Sequence, residues 1–215
     1  MDYAALSQII RVQHLGIFGG FHPRPEDCAP EGTGTLLLLG PDEPGFWAHV
    51  TSEPEFADGK PDPMDRWSRR VIGHLACDLG AKAQFPFGGP PYAPFIRWAG
   101  RTGRAWVSPV SILVHDTAGL MLSYRGALAL TEQIDLPEPP PPPCETCAKP
   151  CLTACPVNAL TSDGYDTDTC HRYLDTAPGT ACMTRGCDVR RACPVSQSYD
   201  RLPEQSAFHM RSFHP

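Results

Sequence analysis

The pattern of apolar and polar positions predicts two amphipathic helices in the first eighty residues. In the first helix, over residues 2–13, apolar side chains recur three and four positions apart. The second helix begins at Asp62, a favourable N-cap, with Pro63 at its first helical position, and it ends before Gly80. Its apolar stripe repeats every four residues and comprises Trp67, Val71, Leu75 and Leu79. Each predicted helix therefore has one face that can pack against a core.

Short apolar runs between turn residues predict β-strands. Residues 35–39 lie between glycines and predict a buried strand, and the apolar run 46–50 predicts a strand beside it. Glycines interrupt the run 15–21, which fits either a strand or a loop. The later patterns predict strands over residues 83–87, 110–114 and 120–130. They also predict a helix over residues 91–98 and a turn over residues 115–119. This mixture of helices and strands predicts an α+β fold class.

The composition is that of an ordinary globular protein and argues against two classes of partner. Of the 215 residues, 41% are hydrophobic and 20% are charged, and the formal net charge is −6. No apolar run approaches the ~18 residues that a membrane-spanning helix requires. An acidic chain without a basic patch does not favour contact with nucleic-acid phosphates. The sequence therefore predicts neither a membrane span nor a nucleic-acid partner.

A proline-rich stretch divides the chain. Residues 136–143 contain Pro137 and an unbroken proline run from 139 to 143. Such a stretch predicts a stiff polyproline II segment that rises about 3.1 Å per residue without internal hydrogen bonds. We interpret it as a spacer between a first domain, residues 1–135, and a second domain, residues 144–215.

Eight of the ten cysteines lie in the second domain, in two groups that each end in Cys-Pro. Such groups are typical of ferredoxin-like domains that hold two [4Fe–4S] clusters, each of which needs four thiolates. The first group has the spacing C-x3-C between its second and third cysteines, one residue longer than usual. The predicted cluster ligands are Cys144, Cys147, Cys151, Cys155, Cys170, Cys182, Cys187 and Cys193.

The ligands are predicted to interleave between the two clusters. In such motifs three closely spaced cysteines surround one cluster, while the fourth, which precedes proline, begins a helix and binds the other cluster. We therefore expect two ligand sets. The first set is Cys144, Cys147, Cys151 and Cys193. The second set is Cys155, Cys170, Cys182 and Cys187.

Two other uses of the cysteines stay open. Disulfides need an oxidising compartment, but the sequence after Met1 lacks the basic and apolar regions of a signal peptide. Two structural zinc sites would also use eight thiolates, although such sites usually come as well-separated C-x2-C pairs. The spacing favours clusters over both alternatives. Cluster thiolates and the missing signal peptide together predict a cytoplasmic protein.

No sequence motif marks a cofactor site in the first domain. It contains no G-x-G-x-x-G, P-loop, nucleophile elbow or H-E-x-x-H. Arg97, Arg101 and Arg104 would line one face of the helix predicted there if that helix continued. One interpretation of these arginines is a solvated face, and the other is contact with the anionic or amide-rich edge of a cofactor.

Three stretches resemble the epoxyqueuosine reductase group, iron–sulfur proteins akin to corrinoid-dependent reductases. They are the first cysteine group with its end at 155–160, the run 170–174, and the glycine and apolar succession over 98–130. The resemblance implies a nitroreductase-like α/β domain followed by the two-cluster domain. It also implies that the first domain holds a corrinoid, which electrons relayed from the clusters reduce.

The chain departs from the family pattern at two places. Arg190 stands where the second group would have a cysteine, and Cys182 is the cysteine left to replace that ligand. The family's proton-donating aspartate is expected shortly before Ala99, but residues 83–99 contain no Asp, Glu or His. Tyr92 is the residue of that stretch able to give a proton. It therefore joins the three arginines as a predicted cofactor-binding residue, and no catalytic residue is assigned.

Two functions fit these observations. In the first, two [4Fe–4S] clusters relay single electrons to cobalamin, or less favourably to FMN, or to a small-molecule substrate held by the first domain. The chain would then be a cobalamin-dependent reductase. In the second, it is a ferredoxin-like electron carrier whose first domain docks a redox partner protein. A structural zinc protein is the third, least favoured interpretation.

Overall fold

The computed structural model describes every residue from Met1 to Pro215, and the chain forms two compact units. Unit one comprises residues 1–104 and 123–140, and unit two comprises residues 105–122 and 141–215. The chain therefore passes between the units three times. None of its helices has the length and apolar character needed to cross a membrane.

The proline-rich segment 136–143 lies at the last passage between the units and contains no helix or strand. Proline has no amide hydrogen to donate, which disfavours both kinds of element. Residues 105–122 precede this segment, yet they group with unit two. The linear division into domains 1–135 and 144–215 stays a prediction.

The chain contains eight strands and ten α-helices. The strands are β1 (Leu15–Phe21), β2 (Thr35–Pro41), β3 (Lys82–Gln84), β4 (Ala105–Val107), β5 (Leu113–His115), β6 (Gly126–Leu130), β7 (Leu160–Thr161) and β8 (Gly164–Tyr165). The helices are α1 (Tyr3–Arg11), α2 (Gly45–Thr51), α3 (Pro54–Ala57), α4 (Pro63–Asp78), α5 (Phe95–Arg101), α6 (Thr167–Leu174), α7 (Thr180–Arg185), α8 (Asp188–Ala192), α9 (Pro194–Tyr199) and α10 (Pro203–Phe213). This mixture agrees with the predicted α+β class.

Unit one is built on a four-stranded antiparallel sheet in the order β1-β2-β6-β3. β2 lies in the interior of the sheet, and all seven of its residues are buried. An unbroken apolar run such as 35–39 suits a strand that is covered on both faces. The strand predicted there is confirmed. The run 15–21 is also a strand, with an irregular register between Ile17 and Gly20.

The strand predicted over 46–50 is wrong, because these residues belong to α2. Phe46 and Val50 lie four positions apart and are both buried, which is the helical period. The Phe46 ring packs edge-on against Trp67 of α4, with ring centroids 5.4 Å apart. Five residues are too few to separate the helical from the strand period, so the packing partner decides the conformation.

Both helices predicted from periodicity are confirmed. In α1 the carboxylate of Asp2 accepts a hydrogen bond from the Ala5 amide at 2.8 Å, as an N-cap does. In α4 the side chain of Asp62 makes no capping hydrogen bond, although the residue occupies the N-cap position. Gly80 follows the helix with φ 61°, a left-handed conformation that glycine adopts without strain.

Two arginines of α4 connect it to α3. Arg66 lies 2.7 Å from the carboxylate of Asp58. Arg70 lies 2.6 Å from Glu55, and it also pairs with Glu53. The hydrogen bond from Arg70 holds the pKa of Glu55 below its usual value. Charge-assisted hydrogen bonds therefore attach the short helix to the long one.

The remaining elements predicted for the first half of the chain are shorter than expected or displaced. The strand predicted over 83–87 is reduced to β3, and the helix predicted over 91–98 is α5. The strands predicted over 110–114 and 120–130 are shortened to β5 and β6. The turn between them is confirmed, since His115 and Gly119 exchange backbone hydrogen bonds of 3.0 Å.

Unit two is composed of short helices and two-residue or three-residue strands around one apolar cluster. Val110, Val114 and Leu120 come from the inserted segment 105–122. They pack with buried residues of the cysteine-rich part, Cys151, Leu160, Val189 and Cys193. The inserted segment thus supplies apolar side chains to the core that contains two of the predicted ligands.

Candidate metal centre

The first predicted ligand set is brought together from two distant stretches of unit two. Cys144 and Cys147 lie in turns and loop, Cys151 in the 3-10 turn Pro150–Thr153, and Cys193 at the N-cap of α9. Burial is the largest cause that raises the pKa of the Cys144 thiol, and the thiols of Cys193, Cys147 and Cys151 raise it further. The pKa of Cys151 is raised by burial first and then by Cys193 and Cys147. One thiol raises the pKa of another in this way only when the two lie close together.

The second set is brought together in the same way. Cys155 follows the 3-10 turn, Cys170 lies in α6, Cys182 in α7, and Cys187 at the N-cap of α8. Burial raises the pKa of Cys182 to about 11, with further contributions from Cys187, Cys170 and Cys155. Burial also raises the pKa of Cys170, and Cys187 and Cys155 act in the same direction. The thiols that raise the pKa of Cys182 and Cys170 belong to the second predicted set. The division of the eight ligands between two clusters, as a first and a second quartet, stays a prediction.

Three of the eight sulfur atoms accept hydrogen bonds of 3.2 to 3.3 Å. The Lys149 amide donates to Cys147 Sγ at 3.3 Å, and the Ala159 amide donates to Cys155 Sγ at 3.2 Å. The Tyr165 hydroxyl donates to Cys170 Sγ at 3.3 Å. Donors of this kind stabilise negative charge on sulfur and are a principal means by which proteins adjust iron–sulfur clusters.

The two Cys-Pro steps lead into different backbone structures. Pro194 begins α9, directly after Cys193, as predicted. The helix expected after Cys155 does not form, and residues 156–157 make a turn instead. Asn158 then adopts a left-handed conformation with φ 52°, which stops any helix from propagating. The Ala159 amide consequently remains free to donate to Cys155 Sγ.

Arg190 and Arg191 have structural partners in unit two. Arg190, at the position of the missing family cysteine, donates to the backbone carbonyl of Leu120. Arg191 pairs with Asp188 and donates to the Gly186 carbonyl at 3.0 Å. Arg191 also lowers the pKa of the Cys182 thiol, against the larger effect of burial. Arg190 therefore holds the inserted segment 105–122 against α8. Arg191 places positive charge near Cys182 of the second predicted set.

A glycine allows the inserted segment to approach α9 closely. Gly119 has φ 55°, and a Cβ atom there would lie 2.4 Å from the Ser196 backbone nitrogen. The Ser196 hydroxyl accepts a hydrogen bond from the Leu120 amide at 2.8 Å. Because Cys193 is the N-cap of α9, this contact helps to place a predicted ligand.

The eight thiols match, in kind and number, the ligands that two [4Fe–4S] clusters require. All eight cysteines are free thiols, and each iron of a cubane binds its own thiolate. Ser206 Oγ is buried without a hydrogen-bond partner, and it lies near Gly186, the residue that directly precedes Cys187. A buried hydroxyl of this kind can donate to a sulfur atom of a bound group. The structure contains no group of three His, Cys, Asp or Glu residues arranged for one metal ion.

The end of α10 contacts residues that neighbour Cys170, through side chains to which the sequence assigns no role. The ring of Phe213 stacks on Tyr165, with centroids 6.0 Å apart and planes inclined by 15°. His214 Nδ1 lies 3.0 Å from His171 Nδ1 in α6, and its Nε2 lies 2.8 Å from Asp175. No motif marks these contacts, because they depend on tertiary packing alone.

The arginines predicted to contact a cofactor lie in unit one and already have partners there. Arg97 Nη1 donates to the Glu26 carbonyl at 2.8 Å. Arg101 lies 3.4 Å from the Asp27 carboxylate. α5 ends at Arg101, so Arg104 lies beyond the helix, where it donates to a carbonyl of β1 at 3.1 Å. These contacts fasten α5 to the sheet and to the 3-10 turn at residues 25–27.

Tyr92, the fourth residue predicted to bind a cofactor, lies in the loop before α5 and is 65% exposed. A proton donor for a bound substrate normally lies within hydrogen-bond reach in a closed site. The assignment of Tyr92 and the three arginines to a cofactor stays a prediction.

Comparison with known proteins supports the resemblance drawn from the sequence. The chain is similar to a curated epoxyqueuosine reductase from Vibrio cholerae, with 24% identity over 222 aligned positions. The match covers 90% of this chain and 58% of that protein, so the chain spans little more than half the length of this relative. No protein-family model and no solved structure matches. The chain is thus similar, at low identity, to a protein of the epoxyqueuosine reductase group.

Proposed function

We propose that this chain is an iron–sulfur redox protein whose eight clustered cysteines hold two [4Fe–4S] clusters. The observation that carries the proposal is that five of the eight cysteines meet at one apolar cluster of unit two. They are Cys144, Cys151, Cys155, Cys187 and Cys193. The distant similarity to a reductase is a second support. When bound, such clusters take up and release single electrons.

The surrounding residues have definable roles in this proposal. Cys144, Cys147, Cys151 and Cys193 hold the first cluster, and Cys155, Cys170, Cys182 and Cys187 hold the second. The amides of Lys149 and Ala159 and the hydroxyl of Tyr165 donate hydrogen bonds to ligand sulfurs. Arg191 adds positive charge near Cys182, which offsets the charge of thiolates and cluster.

We further propose that unit one is a nitroreductase-like α/β domain and the cysteine-rich part a ferredoxin-like domain. Unit one would hold cobalamin, or less favourably FMN, and would present it or a small-molecule substrate to electrons from the clusters. This part of the proposal rests on the resemblance to a corrinoid-dependent group and on the similarity to an epoxyqueuosine reductase.

A ferredoxin-like electron carrier is the second candidate function. One observation favours it, since Arg97, Arg101 and Arg104 are engaged by their own unit. In addition, residues 83–99 contain no acidic residue or histidine. In this case unit one would dock a redox partner protein and would bind no second cofactor.

Anaerobic purification followed by ligand titration tests the proposal. We expect about eight irons and eight sulfides per chain, the content of two cubanes. A saturable change in the cobalamin or FMN spectrum would favour the reductase, and full iron content without such a change would favour the carrier. Colourless protein that contains zinc instead of iron would overturn both.

A pair of serine variants provides the matched control. Cys182→Ser removes a predicted ligand and is expected to reduce the iron content by up to half. Cys77 is an exposed thiol on α4, outside both quartets, so Cys77→Ser is expected to keep full iron content. Equal iron loss in both variants would contradict the assignment.

A further inference from the structure

One ligand sulfur of the second quartet receives its hydrogen bond from a side chain rather than from the backbone. The hydroxyl of Tyr165, the last residue of β8, donates to Cys170 Sγ at 3.3 Å. Tyr165 is 40% exposed, so its ring is not needed to fill a closed core. Its hydroxyl nevertheless points to a sulfur atom, where a tyrosine on the surface could point to water.

The position of the Tyr165 ring is set by contacts with the end of α10. Phe213 stacks on the ring at 6.0 Å and also contacts the imidazole of His171, with centroids 4.6 Å apart. His171 follows Cys170 directly in α6. Phe213 therefore lies against both the tyrosine that donates the hydrogen bond and the helix that carries the acceptor.

His214 fastens the same end of α10 to α6. Its two ring nitrogens lie 3.0 Å from His171 and 2.8 Å from Asp175, which lies at the end of α6. These contacts leave the Phe213 ring little freedom to move away from Tyr165. The geometry consequently holds donor and acceptor together from two sides.

We propose that Tyr165 raises the reduction potential of the second cluster by its hydrogen bond to Cys170, with Phe213 as the residue that positions it. The inference rests on the proposed function. Reduction adds one electron to the cluster, and the negative charge on its sulfur ligands increases. A hydrogen bond to a ligand sulfur stabilises the reduced state more than the oxidised state. Tyr165 keeps its proton in both states.

Removal of this hydroxyl is expected to change one potential only. In Tyr165→Phe we expect the equilibrium constant for reduction of the second cluster to fall about tenfold, which is about 59 mV towards more negative potential for one electron. The measurement is a titration of the anaerobic protein with dithionite, followed by electron paramagnetic resonance. Loss of one signal in Cys182→Ser identifies the second cluster.

Tyr173→Phe is the matched control. Tyr173 lies in α6, the helix that carries Cys170, but its hydroxyl donates to the Pro178 carbonyl at 3.2 Å and not to sulfur. We expect both cluster potentials to stay at their wild-type values in this variant. An equal shift in the two variants would overturn the proposal, because it would indicate a general effect of the helix.

Substitution of Phe213 tests whether its ring acts on the second potential by positioning the Tyr165 hydroxyl. Phe213→Leu removes the stacking ring and is expected to shift the second potential in the same direction as Tyr165→Phe, by a smaller amount. Phe213→Trp restores an aromatic surface and is expected to recover most of that shift. In the double variant Tyr165→Phe with Phe213→Leu, the shift should match that of Tyr165→Phe alone.

The outcomes distinguish this inference from the proposed function. Full iron content with an unchanged second potential in Tyr165→Phe would overturn the inference and leave the proposed function intact. Wild-type protein without iron–sulfur clusters would overturn both. A shift confined to the first potential would overturn the inference and also contradict the assignment of Cys170 to the second quartet.

Discussion

Burial makes free thiolates costly at the candidate metal centre. It is the largest cause that raises the pKa of the Cys144, Cys151, Cys170 and Cys182 thiols. A cysteine must lose its proton to bind iron, so cluster assembly on these residues would release protons. The positive charge of bound iron would then stabilise the negative charge of the buried thiolates.

The membership of the two quartets leads to a prediction at single residues. We expect Cys193→Ser to damage the first cluster and Cys182→Ser the second, because Cys193 interacts with Cys144 and Cys151 while Cys182 interacts with Cys187 and Cys170. Iron analysis and electron paramagnetic resonance of the reduced proteins would show which signal each variant loses. Loss of the same signal in both variants would refute the interleaved assignment.

The residues of the candidate site differ in how far the sequence predicts them. The cysteines can be predicted because a cubane demands four thiolates, and short spacings around it are stereochemically restricted. Tyr165, Ser206 and Phe213 cannot, because a hydroxyl or an aromatic ring beside a cluster has no required spacing. Their positions follow from the packing of α10, which involves no repeated motif.

The attachment of α3 to α4 shows how charge can hold a four-residue helix that is too short to be stable alone. Glu55 is buried to 9% exposure and accepts hydrogen bonds from Arg70. The pKa of Glu55 is lowered by this hydrogen bond. Its contribution to stability is therefore present above the unfolded-state value near 4.5 and is lost as the pH falls through the lower folded-state value.

Arg70→Met tests this attachment. Because Arg70 is partly exposed, solvent screens the pair, and we expect a loss of about 1 kcal/mol of unfolding free energy at pH 7. The difference from wild type should shrink below pH 4.5, as Glu55 becomes protonated. Urea unfolding followed by tryptophan fluorescence measures it, since Trp47, Trp67 and Trp98 all lie in unit one.

Arg11→Met is the control for the same measurement. Arg11 lies 4.0 Å from Asp42, and its side chain is 67% exposed, so a loss near zero is expected. A loss in Arg70→Met that persists unchanged at pH 3 would mean that the aliphatic stem of Arg70, and not its charge, attaches α3.

The sequence distinguishes a helix from a strand where the periodic segment is long or begins with a capping residue. The sixteen residues of α4 carry enough helical repeats to exclude a strand, whereas the run 46–50 does not. The rule that a helix follows Cys-Pro holds at Cys193 but not at Cys155. Proline permits a helix to begin, but residues further along decide whether it continues.

At the scale of the whole molecule, the inserted segment 105–122 contributes apolar side chains to the core that contains the candidate ligands Cys151 and Cys193. Leu120 is 1% exposed and packs in the cluster that contains Cys151 and Cys193. The sequence does not predict that residues 105–122 belong to unit two, because the polyproline run suggests a single boundary at 136–143. The chain passes between the units twice before it reaches that run. Only the tertiary contacts of unit two reveal it.

Leu120→Ala is expected to loosen the first cluster. Truncation of a buried leucine costs about 2–5 kcal/mol, and here the cavity would lie in the core shared with two ligands of the first quartet. We expect iron to be lost to a chelator several times faster than from wild type. Leu37→Ala is the control, since Leu37 is equally buried in β2 of unit one. Equal acceleration in both variants would contradict a local effect.

The interleaved path of the chain also affects the order in which the protein is completed on the ribosome. Residues 105–122 emerge well before Val189 and Cys193, against which their apolar side chains pack. At typical rates of synthesis this interval is about 4 to 14 seconds. During that time Val110, Val114 and Leu120 lack their native contacts with those later residues, so the core of unit two is completed only when the last cysteine-rich stretch has been synthesised.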